Sequence, residues 1–200
     1  MAIRRYDGAA SLSPAGFRTP AVTIGMFDGL HRGHRHVIEH LRAMADRLGG
    51  EAVVVTFETH PMAVIRGGAP RSILSKEHRI HLLERLDVDA VVLLPFDDAM
   101  RSMSHAAFVE DILVGGIGVK GLLFGYNSNF GHKGAGTPET VAPLGERFGF
   151  EVIEAPAITL HGEPISSSRI RDAVESGDLQ TVAEMLGLSL IHISEPTRHI

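Results

Sequence analysis

The chain has 200 residues, 44% hydrophobic and 22% charged, which suits one domain with a substantial core and excludes a disordered chain. Nineteen basic against 24 acidic residues give a formal charge of −5, which argues against broad binding to nucleic acid or to an anionic membrane and leaves room for a local positive pocket. There is no cysteine, so no disulfide framework, thiolate chemistry or cysteine–zinc site is available, in keeping with a cytoplasmic chain.

Residues 1–20 read as a lead-in broken by Pro14, Gly16 and Pro20. Arg4, Arg5 and Asp7 precede any apolar stretch, and no apolar run is long enough to span a bilayer, so neither a secretory signal nor a membrane segment is expected. Ala21–Ile24 is apolar or β-branched, as a buried strand requires. It opens the segment Thr23-Ile-Gly-Met-Phe-Asp-Gly-Leu-His-Arg-Gly-His34, a strand end, a glycine-punctuated turn and a helix start. Gly25, Gly29 and Gly33 recur at four-residue spacing, and from Val37 the apolar residues Ile38, Leu41, Met44, Ala45 and Leu48 follow helical periodicity. His31 and His34 therefore sit at a helix mouth, where free N–H groups and the positive dipole end favour an anion. Two imidazoles flanking a glycine can donate to phosphate oxygens without carrying full charge.

The helix ends near Gly49-Gly50. Glu51–Phe57, with Ala52-Val53-Val54-Val55 as its apolar run, reads as a strand buried on both faces of a parallel sheet. It leads into Glu58-Thr59-His60-Pro61, and loops past the carboxyl ends of such strands are where ligands bind. Arg66–Arg71 is a Gly/Pro-rich loop, and Ser75 can cap a helix with Ile80, Leu82, Leu83 and Leu86 inward. Ala90–Leu94 is the next strand, ending in Pro95-Phe96-Asp97-Asp98. Asp97 and Asp98 either orient a ligand hydroxyl or magnesium-bound water, or simply solvate the loop. Ser104 starts a helix with Phe108, Ile112 and Leu113 on its apolar side, and Val119–Phe124 makes a fourth strand. Gly125-Tyr-Asn-Ser-Asn-Phe-Gly131 follows, with Gly134 and Gly136 beyond, and Asn127 can donate to or accept from a phosphate, a ribose or an adenine edge. Thr137-Pro138 reads as N-cap and first turn of a helix through Phe148, and Glu151–Ile153 as a fifth strand. Ile165-Ser-Ser-Ser-Arg-Ile-Arg171 places three serines and two arginines at another helix mouth, a second phosphate cradle or an ordinary cap. Asp178 can cap a last helix with Leu179, Val182 and Leu186 inward. The other histidines, such as His40, His78 and His81, read as helix-surface residues, and no spacing suggests a metal cage.

The strand–helix alternation predicts an α/β fold, a doubly wound, Rossmann-like parallel sheet. The segment at residues 23–34 resembles the H-x-G-H signature of nucleotidyltransferases. Its longer form G-x-F-D-G-x-H-x-G-H is similar to the FMN adenylyltransferase (FAD synthetase) module of prokaryotic bifunctional riboflavin kinase/FAD synthetases. The segments at Thr56–Pro61, Gly125–Gly131 and Ile165–Arg171 resemble further motifs of that family, in order, over roughly Ala21–Gly187. Ser128 stands where an aromatic residue is usual, Asn129 where a basic or small polar one is common, and Ser168 where threonine is.

The resemblance implies ATP and FMN as substrates, FAD and pyrophosphate as products, and magnesium bridging phosphate oxygens with no protein metal site. It implies catalytic roles for His31, His34, Ser167 and Arg169. ATP would meet Gly25, Phe27, Asp28, His31, Gly33, His34, Asn127, Ser167, Ser168, Arg169 and Arg171. FMN would meet Phe57, His60, Pro61, Asp98, Asn127 and Phe130. Asp28 is expected to brace the turn rather than act as a base. The family module corresponds to residues 1–187 and continues into a riboflavin kinase domain that is not seen here. Residues 188–200 look like the translation of a sequencing-library adapter, or a short disordered tail. Two other readings stay open from the residues themselves: another small-molecule adenylyl- or cytidylyltransferase, and a non-catalytic flavin- or nucleotide-binding module left by truncation.

Overall fold

The computed structural model describes residues 3–188; of the tail expected at 188–200, all but residue 188 lies outside the described residues. Six strands form one parallel sheet: β1 (Arg4–Asp7), β2 (Ala21–Ile24), β3 (Ala52–Phe57), β4 (Ala90–Leu94), β5 (Gly121–Phe124) and β6 (Glu151–Glu154), in the order β1-β4-β3-β2-β5-β6. β2 to β5 are almost wholly buried, as their unbroken Val, Leu and Ile runs require when helices cover both faces. One face carries α1 (Arg32–Leu48) and α3 (Lys76–Glu84), with Ile38, Leu41 and Leu83 packed on Val54, Val91 and Leu93. The other carries a π-helical stretch (Phe108–Ile117) and α6 (Pro138–Phe148), with Phe108, Leu113 and Val141 packed on Val22, Val53 and Leu122.

The chain winds outward from β2 in both directions, so the crossovers diverge between β2 and β5. In open α/β sheets that switch point leaves a crevice at the strand carboxyl ends. The strand β8 (Glu163–Pro164), paired in a hairpin with β7 (Thr159–Leu160), and the start of α7 (Ser167–Ser176) line it, while α8 (Leu179–Leu186) packs on α7, α2 (Pro61–Arg66) on α4 (Asp98–Ser102), and α5 (His105–Ala107) on α6. No helix among the described residues is long and apolar enough to cross a membrane.

Three sequence expectations change. β1 lies inside the expected lead-in: Arg-Arg-Tyr-Asp has no apolar run, because an edge strand pairs on one side only, here with β4. The helix after Ser104 becomes π-helical from Phe108, with the expected Phe108, Ile112 and Leu113 still buried. Leu179, expected inward, is 60% exposed, because it starts α8 and Ala183 and Met185 form the buried face instead.

Candidate active site

β2 ends at Ile24, and its last ladder bond runs from Gly25 N–H to the Val55 carbonyl at 3.0 Å. The turn to α1 then takes a shape most residues avoid. Phe27 (φ 51°), Gly29 (φ 88°) and Leu30 (φ 38°) all have positive φ, and at Phe27 and Leu30 a side chain adopts it at a cost of order 1–3 kcal/mol each. Buried Asp28 holds that shape: its carboxylate accepts from the Ile73 and Leu74 N–H groups at 2.9 and 3.0 Å and from Arg171 Nη2 at 2.5 Å. Asp28 is thus a brace, with its oxygens committed to other parts of the chain.

The turn delivers His31 as N-cap of α1. Its Nδ1 accepts from the His34 N–H at 3.2 Å, which leaves the proton of the neutral ring on Nε2 as a free donor. The two rings stack, with centroids 3.7 Å apart and 17° between planes, and Phe27 backs His34 at 5.1 Å. Burial lowers the His31 pKa to about 4 against the opposing pull of Asp28. Burial and then the adjacent His31 hold His34 well below the ordinary value. Both imidazoles are therefore neutral at pH 7 and act as N–H donors rather than as cations. His34 Nδ1 is buried without a partner among the described residues. A Cβ at Gly33 would lie 3.1 Å from the His31 ring and 3.4 Å from the Ile165 carbonyl, so the glycine admits both the ring and the distant segment before α7.

That segment closes the cleft. Ser166 caps α7 by accepting from the Arg169 N–H at 3.3 Å, and Ser167 Oγ donates to the Asp28 carbonyl at 2.7 Å. Ile165, Ser166 and Ser167 line the same cavity of about 220 Å³ as Gly25, Phe27, His31, Gly33 and His34. Two helix N-termini, those of α1 and α7, therefore face one space, which favours a polyanion twice over.

Besides Asp28, four residues expected at the nucleotide do not line this cleft. Ser168 and Asn127 are displaced by their neighbours: Ser166 and Ser167 face the cleft from α7, Tyr126 and Ser128 from the turn after β5, where Asn127 is exposed at φ 55°. Arg169 turns its guanidinium onto the hairpin, donating to the Glu163 and Pro164 carbonyls at 2.9 and 2.8 Å. Arg171 donates to the Arg71 carbonyl at 2.8 Å as well as to Asp28. Both arginines fasten the cleft wall in this structure.

Beside the cleft a larger, mostly apolar cavity of about 590 Å³ opens between the ends of β3 and β4 and the loop after β5. Phe57, Pro61 and Phe130, expected at a flavin, line it together with Phe96, Met100 and Phe108. His60 caps α2 by accepting from the Met62 N–H at 3.2 Å, and burial, then Arg171, lower its pKa. Asp98, expected at the flavin, is exposed in the first turn of α4 and does not line the cavity itself, pairing at 3.5 Å with Arg101, which does. Asn129 and Phe130 line this cavity and Ser128 the first, so the loop after β5 divides the two.

Ser166, read from sequence as one of three serines at the helix mouth, is left out of the expected contact residues, and Arg79 is passed over. Arg79 is buried on α3, donating to the Met26 carbonyl at 2.9 Å and the Phe57 carbonyl at 2.7 Å. Its spacing of four from the inward Leu83 was the available signal. Among the described residues no group of three or more His, Cys, Asp or Glu is placed to hold a metal ion.

A family model described as FAD synthetase matches residues 14–169. The chain is 36% identical over 168 residues to the bifunctional riboflavin kinase/FMN adenylyltransferase of Haemophilus influenzae, covering 84% of this chain and 54% of that protein. The protein of the same name from Bacillus subtilis is 30% identical over 169 residues, 83% of this chain and 52% of that one. The chain thus spans about half the length of these curated relatives. Among solved structures, one titled as a macrolide-efflux protein from Streptococcus pneumoniae superposes with a TM-score of 0.80 at 26% identity, covering 94% of this chain and 72% of that one. Pantothenate synthetase from Thermus thermophilus superposes at 0.52 with 18% identity, covering 91% and 80%, a likeness of fold alone. With its motifs in family order and the model spanning most of its length, the chain belongs to the FAD synthetase family.

Proposed function

We propose that this chain transfers the adenylyl group of ATP to the phosphate of FMN, giving FAD and pyrophosphate. The observation that carries the reading is the pairing of cavities: one faced by two helix N-termini and two neutral imidazoles, the other apolar and aromatic, with a single loop between them. The first suits a triphosphate, the second a flat tricyclic ring.

An FMN phosphate oxygen attacks the α-phosphorus, the bond from that phosphorus to the α–β bridging oxygen breaks, and pyrophosphate leaves with the electron pair. The nucleophile is already an anion, so no general base is needed. The barrier lies in bringing two polyanions into line and in stabilising charge on the α-phosphate and the leaving group, which is positioning and electrostatics. His31 Nε2–H and His34 would donate to the triphosphate, and Ser167 and the α7 N–H groups to its far end. Arg169 and Arg171 would act by holding the hairpin and the Asp28 turn. Magnesium would arrive on the triphosphate as part of the substrate, since Asp28, the carboxylate at the turn, is taken up by Arg171 and two amides. A riboflavin kinase partner domain, as the names of the relatives indicate, would supply FMN.

The test is direct: FMN, ATP and magnesium with the purified chain, followed by chromatography. FAD should accumulate with one pyrophosphate released per FAD. Binding of both substrates with no FAD formed would sink the activity and leave a binding module.

A further inference from the structure

Beyond Gly25 the ladder between β2 and β3 has ended, yet the two chains must stay in register, because Met26 walls the nucleotide cleft and Phe57 the apolar one. Arg79 takes over at that point. Its side chain is 3% exposed, and its two terminal nitrogens fork onto the carbonyls of those two residues, at 2.9 Å for Met26 and 2.7 Å for Phe57. Thr56 Oγ1 adds a weaker bond to the same Met26 carbonyl at 3.3 Å. Burying a guanidinium is costly, and here Nε has no partner among the described residues, so the group is not placed for greatest stability. What a planar fork supplies, and an apolar side chain of equal volume does not, is a fixed separation between two acceptors. These two acceptors belong one to each cavity.

We propose that Arg79 is a positioning residue that sets the distance and angle between the two bound substrates. It touches neither, and it acts through the backbone at Met26 and Phe57. The proposal rests on the adenylyl-transfer reading above. It gives a signature unlike that of a contact residue: each substrate alone should bind normally, because each cavity remains whole, while the step that needs both in line should slow. Misplacement by about 1 Å in such a reaction costs on the order of a hundredfold.

The experiment uses the full chain and the variants Arg79→Met and Arg79→Lys. FMN affinity is read from flavin fluorescence, nucleotide affinity by calorimetry with α,β-methylene-ATP, and turnover from FAD formed at saturating substrates. For Arg79→Met, both affinities should stay within about threefold of wild type while kcat falls by roughly tenfold to a hundredfold. Arg79→Lys keeps the buried cation without the fork and should recover only part of that loss. Wild-type kcat in both variants would overturn the proposal, as would a parallel fall of both affinities and kcat, which marks a general structural role. Where Arg79→Met does not fold, Arg79→Lys carries the same comparison, and loss of fold in both makes Arg79 a stability residue and also overturns it. A wild-type chain that forms no FAD defeats the adenylyl-transfer reading itself, an outcome separate from any behaviour of the variants.

Discussion

Ser167 donates its hydroxyl hydrogen to the main-chain oxygen of Asp28 at 2.7 Å, across 139 residues of sequence. One helical turn further along α7, Arg171 reaches the carboxylate of the same aspartate. A single face of α7 is thus tied to both the backbone and the side chain of the turn that carries His31. This double tie makes two helix N-termini share one cleft.

Loss of the imidazole donors should remove turnover and spare the fold. Asparagine at His31 keeps an N-cap acceptor for α1, so the variant His31→Asn with His34→Ala should melt within a few degrees of wild type. Its rate of pyrophosphate release should drop by roughly a hundredfold or more, the usual cost of losing well-placed donors to a developing charge. An unchanged rate would remove the histidines from the chemistry.

Asp28 should matter most for stability. Alanine there leaves Arg171 half-buried without its partner and strips the Ile73 and Leu74 amides of their acceptor. Urea unfolding should show a loss of about 3–5 kcal/mol, the range for breaking a buried ion pair from one side. Arg171→Met should cost less, since Asp28 keeps its two amide donors.

The histidine pair should make the fold acid-sensitive. The folded pKa of His31, about 4, lies below that of a free imidazole, so as pH falls the unfolded chain binds the proton first. The contribution is fully present above about pH 6.5 and is lost as pH falls through 4, roughly 3 kcal/mol for His31 alone. His34 acts in the same direction. Urea midpoints should decline between pH 7 and 5 in the wild type and decline less in the His31→Asn, His34→Ala protein. Parallel profiles would place the acid sensitivity elsewhere.

Gly33→Ala separates helix stability from site geometry. Alanine is the better helix former by about 1 kcal/mol, and Gly33 has an ordinary helical backbone in the first turn of α1. Its new methyl would press on the His31 ring at 3.1 Å. The melting temperature should hold or rise while kcat falls by about tenfold, since a ring displaced by a few tenths of an ångström no longer aims its donor. Full activity would show that the ring can yield without cost.

The layered fold is legible in the chain, because continuous Val, Leu and Ile runs alternating with amphipathic stripes have few other ways to be buried. So are the caps at Ser75, Ser104, Thr137 and Asp178, each satisfying a backbone donor three residues on, whereas His31 as N-cap of α1 shows only in the structure, histidine not being among the usual cap residues. Both halves of the cleft are marked by glycine, histidine and serine patterns that act locally. β1 is illegible, since an edge strand has only one buried side and needs no apolar run. The destinations of Arg79, Arg169 and Arg171 are equally illegible. A guanidinium on a flexible stem finds its partners by tertiary proximity, and here those partners are carbonyls and a carboxylate on other segments. That two serines and two helix mouths line one cleft while the arginines fasten its wall emerges on folding, because hydrogen bonds between separate segments leave no period in the chain that makes them.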